Sequence, residues 1–157
     1  MRIISGVNKG RNLVDLGKGD PLAHLRPTSD RVRESIFNLI IGGRFGNKLE
    51  NCYILDMFAG TGALGLEALS RGAKSVLFVD NGQRAIKLLR KNISICGVEN
   101  KATVVKTDAT KKLPIPRKNG IDLVFIDPPY GKGLGLQALK VLTKYELLNK
   151  EALIILE

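Results

Sequence analysis

Of 157 residues, two are cysteines (Cys52 and Cys96), one is a histidine (His24) and none is a tryptophan. Two lone cysteines provide neither a disulfide framework nor a C-x-x-C metal pair, and one histidine excludes a multi-histidine zinc site. Aromatics are few, five Phe and three Tyr, so stacking along an extended single strand is disfavoured, while one flipped base on one aromatic ring is possible. No apolar run approaches the roughly 18 residues of a membrane span. The opening Met1–Gly6 turns polar too early for a secretory leader. Acids are also scarce: 15 Asp and Glu stand against 25 Lys and Arg, a net charge of +10. The length suits one domain with its own core. The charge excess points to a polyanionic partner.

The charge is uneven. Residues 81–120 hold ten basic residues and two acids, a net of +8, which reads as a solvated face or an anion-tracking one. Near the start, Arg2, Lys9 and Arg11 are interleaved with glycines and can follow a phosphate backbone. Arg2–Ser5 and Arg11–Val14 around a Gly6–Gly10 bend predict a small β-hairpin. The sequence then predicts a loop to residue 27 and a helix over 30–41, capped by Ser29 or Asp30. Val32, Ile36, Leu39 and Ile40 are its expected apolar positions, and Gly42-Gly43 its stop.

From residue 53 short apolar runs alternate with helical patterns. Strands are expected at Tyr53–Phe58, Ser75–Asp80, Ala102–Lys106, Leu123–Ile126 and Leu153–Leu156. Helices are expected at Ala63–Arg71, Gln83–Cys96 and from Leu136 to Leu142. This is the signature of βαβ units and a parallel, doubly wound α/β sheet covered on both faces. The division is thus a basic hairpin and loop over residues 1–27 and an α/β domain over 28–157. In such sheets ligands bind at the carboxyl ends of the strands.

Gly60-Thr61-Gly62-Ala63-Leu64-Gly65 satisfies G-x-G-x-x-G between a strand and a helix, and Asp80 ends the next strand twenty residues after Gly60. That pattern fits an adenosine-containing cofactor whose ribose hydroxyls bond to the carboxylate. NAD and S-adenosylmethionine both satisfy it. Asp56, four residues before Gly60, is poorly placed beside a pyrophosphate and well placed for the ammonium of a methionine moiety; alternatively it bonds nearby turn amides. Asp127-Pro128-Pro129-Tyr130 follows the fourth strand as a stiff corner. There the Asp127 carboxylate and the Pro128 carbonyl can hold the two hydrogens of an exocyclic base amine, aim its lone pair at a sulfonium methyl, and stabilise the charge that develops. Tyr130 can stack on the flipped base.

In these residues the sequence resembles the bacterial 16S ribosomal RNA guanine-N2 methyltransferases known as the RsmD family. The resemblance runs from Met1 to Glu157 through Met1–Gly6, Leu25–Glu34, Asp56–Ala73 and Asp127–Tyr130. It implies a class I S-adenosylmethionine-dependent methyltransferase fold, Rossmann-like, acting on guanine 966 of 16S RNA in the small subunit or a late assembly intermediate. By that match Asp56, Phe58, Ala59, Gly60 and Gly62 line the methionine side, Asp80 with Asn81 the ribose, and Asp108 with Ala109 the adenine. Asp127 to Tyr130 meet the guanine. Arg26, Thr28, Arg31 and Arg33 border the substrate cleft and, with Lys132, join Arg2, Lys9 and Arg11 as expected RNA contacts. A cytoplasmic monomer without metal is expected. The resemblance implies a sheet that continues past the fifth strand with a hairpin, and that hairpin is expected to be absent from this sequence, either because the form is shortened or because the sequence is incomplete. DNA adenine-N6 and protein glutamine methyltransferases use similar Pro-Pro-Tyr corners, but carry appended domains for which this chain has no room. A non-catalytic RNA-binding remnant of the fold is the other alternative. An NAD oxidoreductase fits least, because no residue set for hydride chemistry is present.

Overall fold

Val, Ile, Leu and Phe cluster in short unbroken runs here, and such runs form strands only where both sheet faces are covered. The computed structural model describes residues 1–15, 29–43, 46–111, 113, 120–129 and 133–157. Its elements are α1 (Asp30–Gly42), β1 (Tyr53–Met57), α2 (Ala63–Ser70), β2 (Ser75–Asp80), α3 (Gln83–Cys96), a short 3₁₀ turn at Glu99–Lys101, β3 (Ala102–Lys106), β4 (Ile121–Ile126), α4 (Leu134–Lys144) and β5 (Leu148–Leu156). The strands form one sheet in the order β3-β2-β1-β4-β5. Every neighbouring pair is parallel.

The chain runs outward from β1 through β2 to β3, then returns to place β4 on the other side of β1. The crevice where the order reverses therefore opens between β1 and β4. Met57 pairs with Ile126 across that line, so Phe58 and Asp127 leave the sheet side by side. On one face Phe37, Ile40, Leu66, Leu69, Leu89 and Ile93 pack against Ile54, Val76, Phe78, Leu123 and Phe125. On the other, Ala138, Val141 and Leu142 of α4, with Ala109 and Leu113, cover Leu55, Met57, Val79, Val124 and Ile126. Truncating a fully buried ring such as Phe78 to alanine costs about 3–5 kcal/mol.

The boundaries of β2, α3 and β3 match the sequence expectation. β4, α4 and β5 start earlier than expected, because Ile121, Leu134 and Leu148 begin their elements in polar or glycine-rich surroundings. In α1 the inward face differs. Ser29 caps the helix, its side chain accepting from the Val32 amide, but the buried residues are Arg33, Phe37 and Ile40. Val32 and Leu39 point outward, 40% and 67% exposed. An arginine on the buried stripe shifts the helix face by one position.

Residues 1–15 double back through a single antiparallel bridge, Arg2 to Asn12, rather than two strands. The Ile3 amide donates to the Arg11 carbonyl at 3.0 Å and the Leu13 amide to the Met1 carbonyl at 2.9 Å. Ile3 and Leu13 belong to the same core cluster as the sheet. Two buried side chains tie this segment down. The Glu67 carboxylate accepts from the amides of Ile4 (2.7 Å) and Ser5 (3.0 Å) and from Arg71 Nε (2.7 Å). Ser70 Oγ accepts from the Asn8 amide and donates to the Ser5 carbonyl. The expected boundary between residues 27 and 28 lies outside the described residues.

Candidate active site

The glycine turn leaves β1 and enters α2 directly. Gly62 caps the helix in the left-handed region at φ 84°, and a Cβ there would overlap Leu89 of α3. Gly65, one turn on, allows close packing of α2 on the sheet: a Cβ would come within 2.8 Å of Phe78 Cζ and 2.9 Å of Val76 Cγ1. Having no side chain, Gly62 offers no cap hydrogen bond to the first turn of α2. Asp56 supplies one from the strand, its Oδ2 accepting from the Gly65 amide at 3.0 Å. This satisfies one orphan donor of the helix and sets a negative group against its positive end.

Asp80, at the end of β2, holds the turn from the side. Its Oδ2 accepts from the Gly60 amide at 2.8 Å and its Oδ1 from the Gly82 amide at 2.7 Å. A carboxylate has about four acceptor directions, so both oxygens keep capacity for further donors. Asn81 is exposed beside it. Asp108 follows β3. Its Oδ1 accepts from the amide (2.9 Å) and hydroxyl (2.6 Å) of Thr110, and these bonds hold its carboxyl below the usual range. Ala109 is buried against the α4 side of the sheet. Asp127, Pro128 and Pro129 are half-buried at the end of β4. Strands β1, β2 and β4 thus bring Asp56, Asp80 and Asp127 toward the carboxyl end of the sheet, and Asp108 follows β3 at the same end.

Burial pushes the Asp56 carboxyl up to about 7; the Gly65 amide opposes this, and Asp127 and then Asp80 add to it. An ammonium or sulfonium placed beside Asp56 would favour its ionised form, and S-adenosylmethionine carries both, so the residues present fit that group. The bond from Gly65 to Asp56 is also the turn-amide contact that the alternative view of Asp56 expects. Among the described residues no cluster of three or more His, Cys, Asp or Glu has the arrangement of a metal site.

Arg2, Lys9 and Arg31 meet in a groove of about 290 Å³, lined also by Ile3, Ile4, Gly10, Asp30 and Glu34. Arg11 is exposed, and its guanidinium donates to the Ile95 carbonyl at the end of α3. Arg33 corrects the sequence expectation. Its side chain is wholly buried, donating to Asp30 Oδ1 at 2.9 Å and to the Arg2 carbonyl at 2.6 Å, and cannot reach RNA. Burial lowers its pKa. Arg26, Thr28, Tyr130 and Lys132, with His24, lie outside the described residues. The thiols Cys52 and Cys96 are buried and free; burial raises both, Cys52 to about 12, which leaves them unreactive.

Sequence reasoning missed Glu67, Ser70 and Asn92. Each is a polar residue at a position where helix periodicity calls for an apolar one, and that mismatch was the available signal.

A parallel sheet reversing at β1, a glycine turn after its first strand, a carboxylate ending the second and an Asp-Pro-Pro corner after the fourth define a class I methyltransferase fold. The chain belongs to the RsmD family: the family model described as Conserved hypothetical protein 95 matches residues 1–157. It is 37% identical to the Bacillus subtilis protein YlbH, over the whole of this chain and 82% of the relative. It is also 37% identical to the Haemophilus influenzae protein named ribosomal RNA small subunit methyltransferase D, over the whole chain and 78% of the relative. The solved structure of Escherichia coli yhhF superposes with a TM-score of 0.81 at 34% identity, covering 99% of this chain and 79% of that one.

Proposed function

We propose that this protein methylates the exocyclic N2 of a guanine in small-subunit ribosomal RNA, guanine 966 in the family's frame, with S-adenosylmethionine as donor. When bound, the donor supplies an electrophilic methyl group on a sulfonium. Asp56 through Gly62 hold its methionine side, Asp80 with Asn81 its ribose, and Asp108 with Ala109 its adenine.

The carrying observation is the position of Asp127. It leaves β4 beside the glycine turn, at the reversal of strand order, close enough to Asp56 to raise its pKa. A guanine amine is a weak nucleophile because its lone pair is delocalised into the ring. The Asp127 carboxylate and the Pro128 carbonyl each accept one amine hydrogen, which turns the lone pair toward the methyl. The prolines keep these acceptors fixed, so little reorganisation is needed as charge develops on nitrogen. Tyr130 stacks on the base, a role proposed from sequence alone. Arg2, Lys9 and Arg31 grip the backbone of the RNA, presented in the assembled subunit or a late intermediate. The protein acts as a cytoplasmic monomer.

The test is transfer of labelled methyl from S-adenosylmethionine to small subunits from cells lacking the modification, followed by nucleoside digestion. Label in N2-methylguanosine supports the proposal; no label, or label on an adenine, overturns it.

A further inference from the structure

Asn92 occupies an inward position of α3 between Leu89 and Ile93 and is 0% exposed. Its side chain is fully committed. Oδ1 accepts from the Val14 amide at 2.7 Å, and Nδ2 donates to the Val14 carbonyl at 2.9 Å and the Thr61 carbonyl at 2.9 Å. It meets both main-chain groups of Val14 as a neighbouring strand would. With its remaining N–H it holds the residue between Gly60 and Gly62. One buried amide therefore touches the N-terminal segment and the cofactor turn at once. The Thr61 hydroxyl adds a weak contact with Met1 Sδ at 3.9 Å.

The N-terminal segment carries Arg2 and Lys9 on its exposed side. Buried hydrogen bonds are costly to break without replacement, because the orphaned groups cannot reach water. The Thr61 carbonyl and both main-chain groups of Val14 are thus tied to one side chain, so a displacement of the turn would be felt at Val14.

We propose that Asn92 is a positioning residue that couples the cofactor pocket to the RNA-facing N-terminal segment, so that donor and RNA strengthen each other's binding. This rests on the assignment of those two sites under Proposed function. Coupling between sites is reciprocal and commonly amounts to about 5- to 150-fold.

The test measures the affinity of S-adenosylhomocysteine alone and with saturating small subunits that lack the modification. The wild-type protein should show mutual tightening of about fivefold or more. Asn92→Ser should bring that factor near unity and raise the KM for subunits proportionately more than it lowers kcat or the affinity for S-adenosylhomocysteine alone. Coupling retained in the variant, or absent from the wild type, overturns the proposal. Amide exchange in the wild type needs no variant. S-adenosylhomocysteine should slow exchange of the Val14 amide more than that of Ile121, which bonds the Leu147 carbonyl on the other side of β1; equal slowing overturns the proposal even if Asn92→Ser does not fold. No binding of S-adenosylhomocysteine overturns the assigned function and this inference together. Binding and methylation without coupling overturn this inference alone.

Discussion

The Gly60 amide donates to Oδ2 of Asp80 at 2.8 Å, and the other oxygen of that carboxylate accepts from Gly82 at 2.7 Å. One side chain at the end of β2 thus fixes the turn that leaves β1 and its own following loop. Asp80→Ala should lower the affinity for S-adenosylhomocysteine by roughly 10- to 100-fold, since hydrogen bonds to charged groups contribute about 1.5–3 kcal/mol each. Calorimetric titration checks this, and a change under threefold would remove Asp80 from the cofactor site.

Asp56 gives the protein a pH signature. Its carboxyl is raised by burial to about 7, above the ordinary carboxylate value. The folded state therefore holds a proton that the unfolded state has lost. Stability from this group is present at low pH and declines as pH rises from about 4 to about 7. Asp56→Asn should remove that part of the slope in denaturant melts across the range. A cationic donor favours the ionised form, so its binding should strengthen as pH rises toward 7 and release protons, read as buffer-dependent heats.

Close packing of α2 on the sheet depends on Gly65. Gly65→Ala drives a methyl into Phe78 and Val76. It should destabilise the fold by about 1–3 kcal/mol, visible as a lower denaturant midpoint with an unchanged m-value.

The groove formed by Arg2, Lys9 and Arg31 should govern the salt dependence of RNA binding. Each lost phosphate contact lowers the magnitude of the slope of log K against log salt by up to about 0.9. Replacing all three with alanine should therefore flatten the slope by about 2–3. Arg33→Met should leave the slope unchanged, because that guanidinium is wholly buried.

What was legible in the sequence follows from periodicity. α3 alternates apolar Ala85, Ile86, Leu89 and Ile93 with exposed Arg84, Lys87 and Lys91, so its bounds and inward face were readable. α1 misled because Arg33 lies on the buried stripe, where a long-range partner, the Arg2 carbonyl, makes burial tolerable. No local pattern encodes that contact. Of the site, Asp80 and Asp127 were placed with the glycine turn by their positions at strand ends, and Asp56 by its spacing four residues before Gly60. Asn92 and Glu67 were not, since the main-chain groups they hold belong to residues 31 to 78 positions away.

In the proposed reaction Asp127 directs the base amine. Steady-state methyl transfer by Asp127→Ala on unmodified small subunits, with S-adenosylhomocysteine affinity measured alongside, tests this directly. Turnover should fall roughly 10²- to 10³-fold, the loss typical of removing one transition-state hydrogen-bonding group, while affinity stays within about threefold. A turnover loss under threefold, or an equal loss of cofactor affinity, would contradict it.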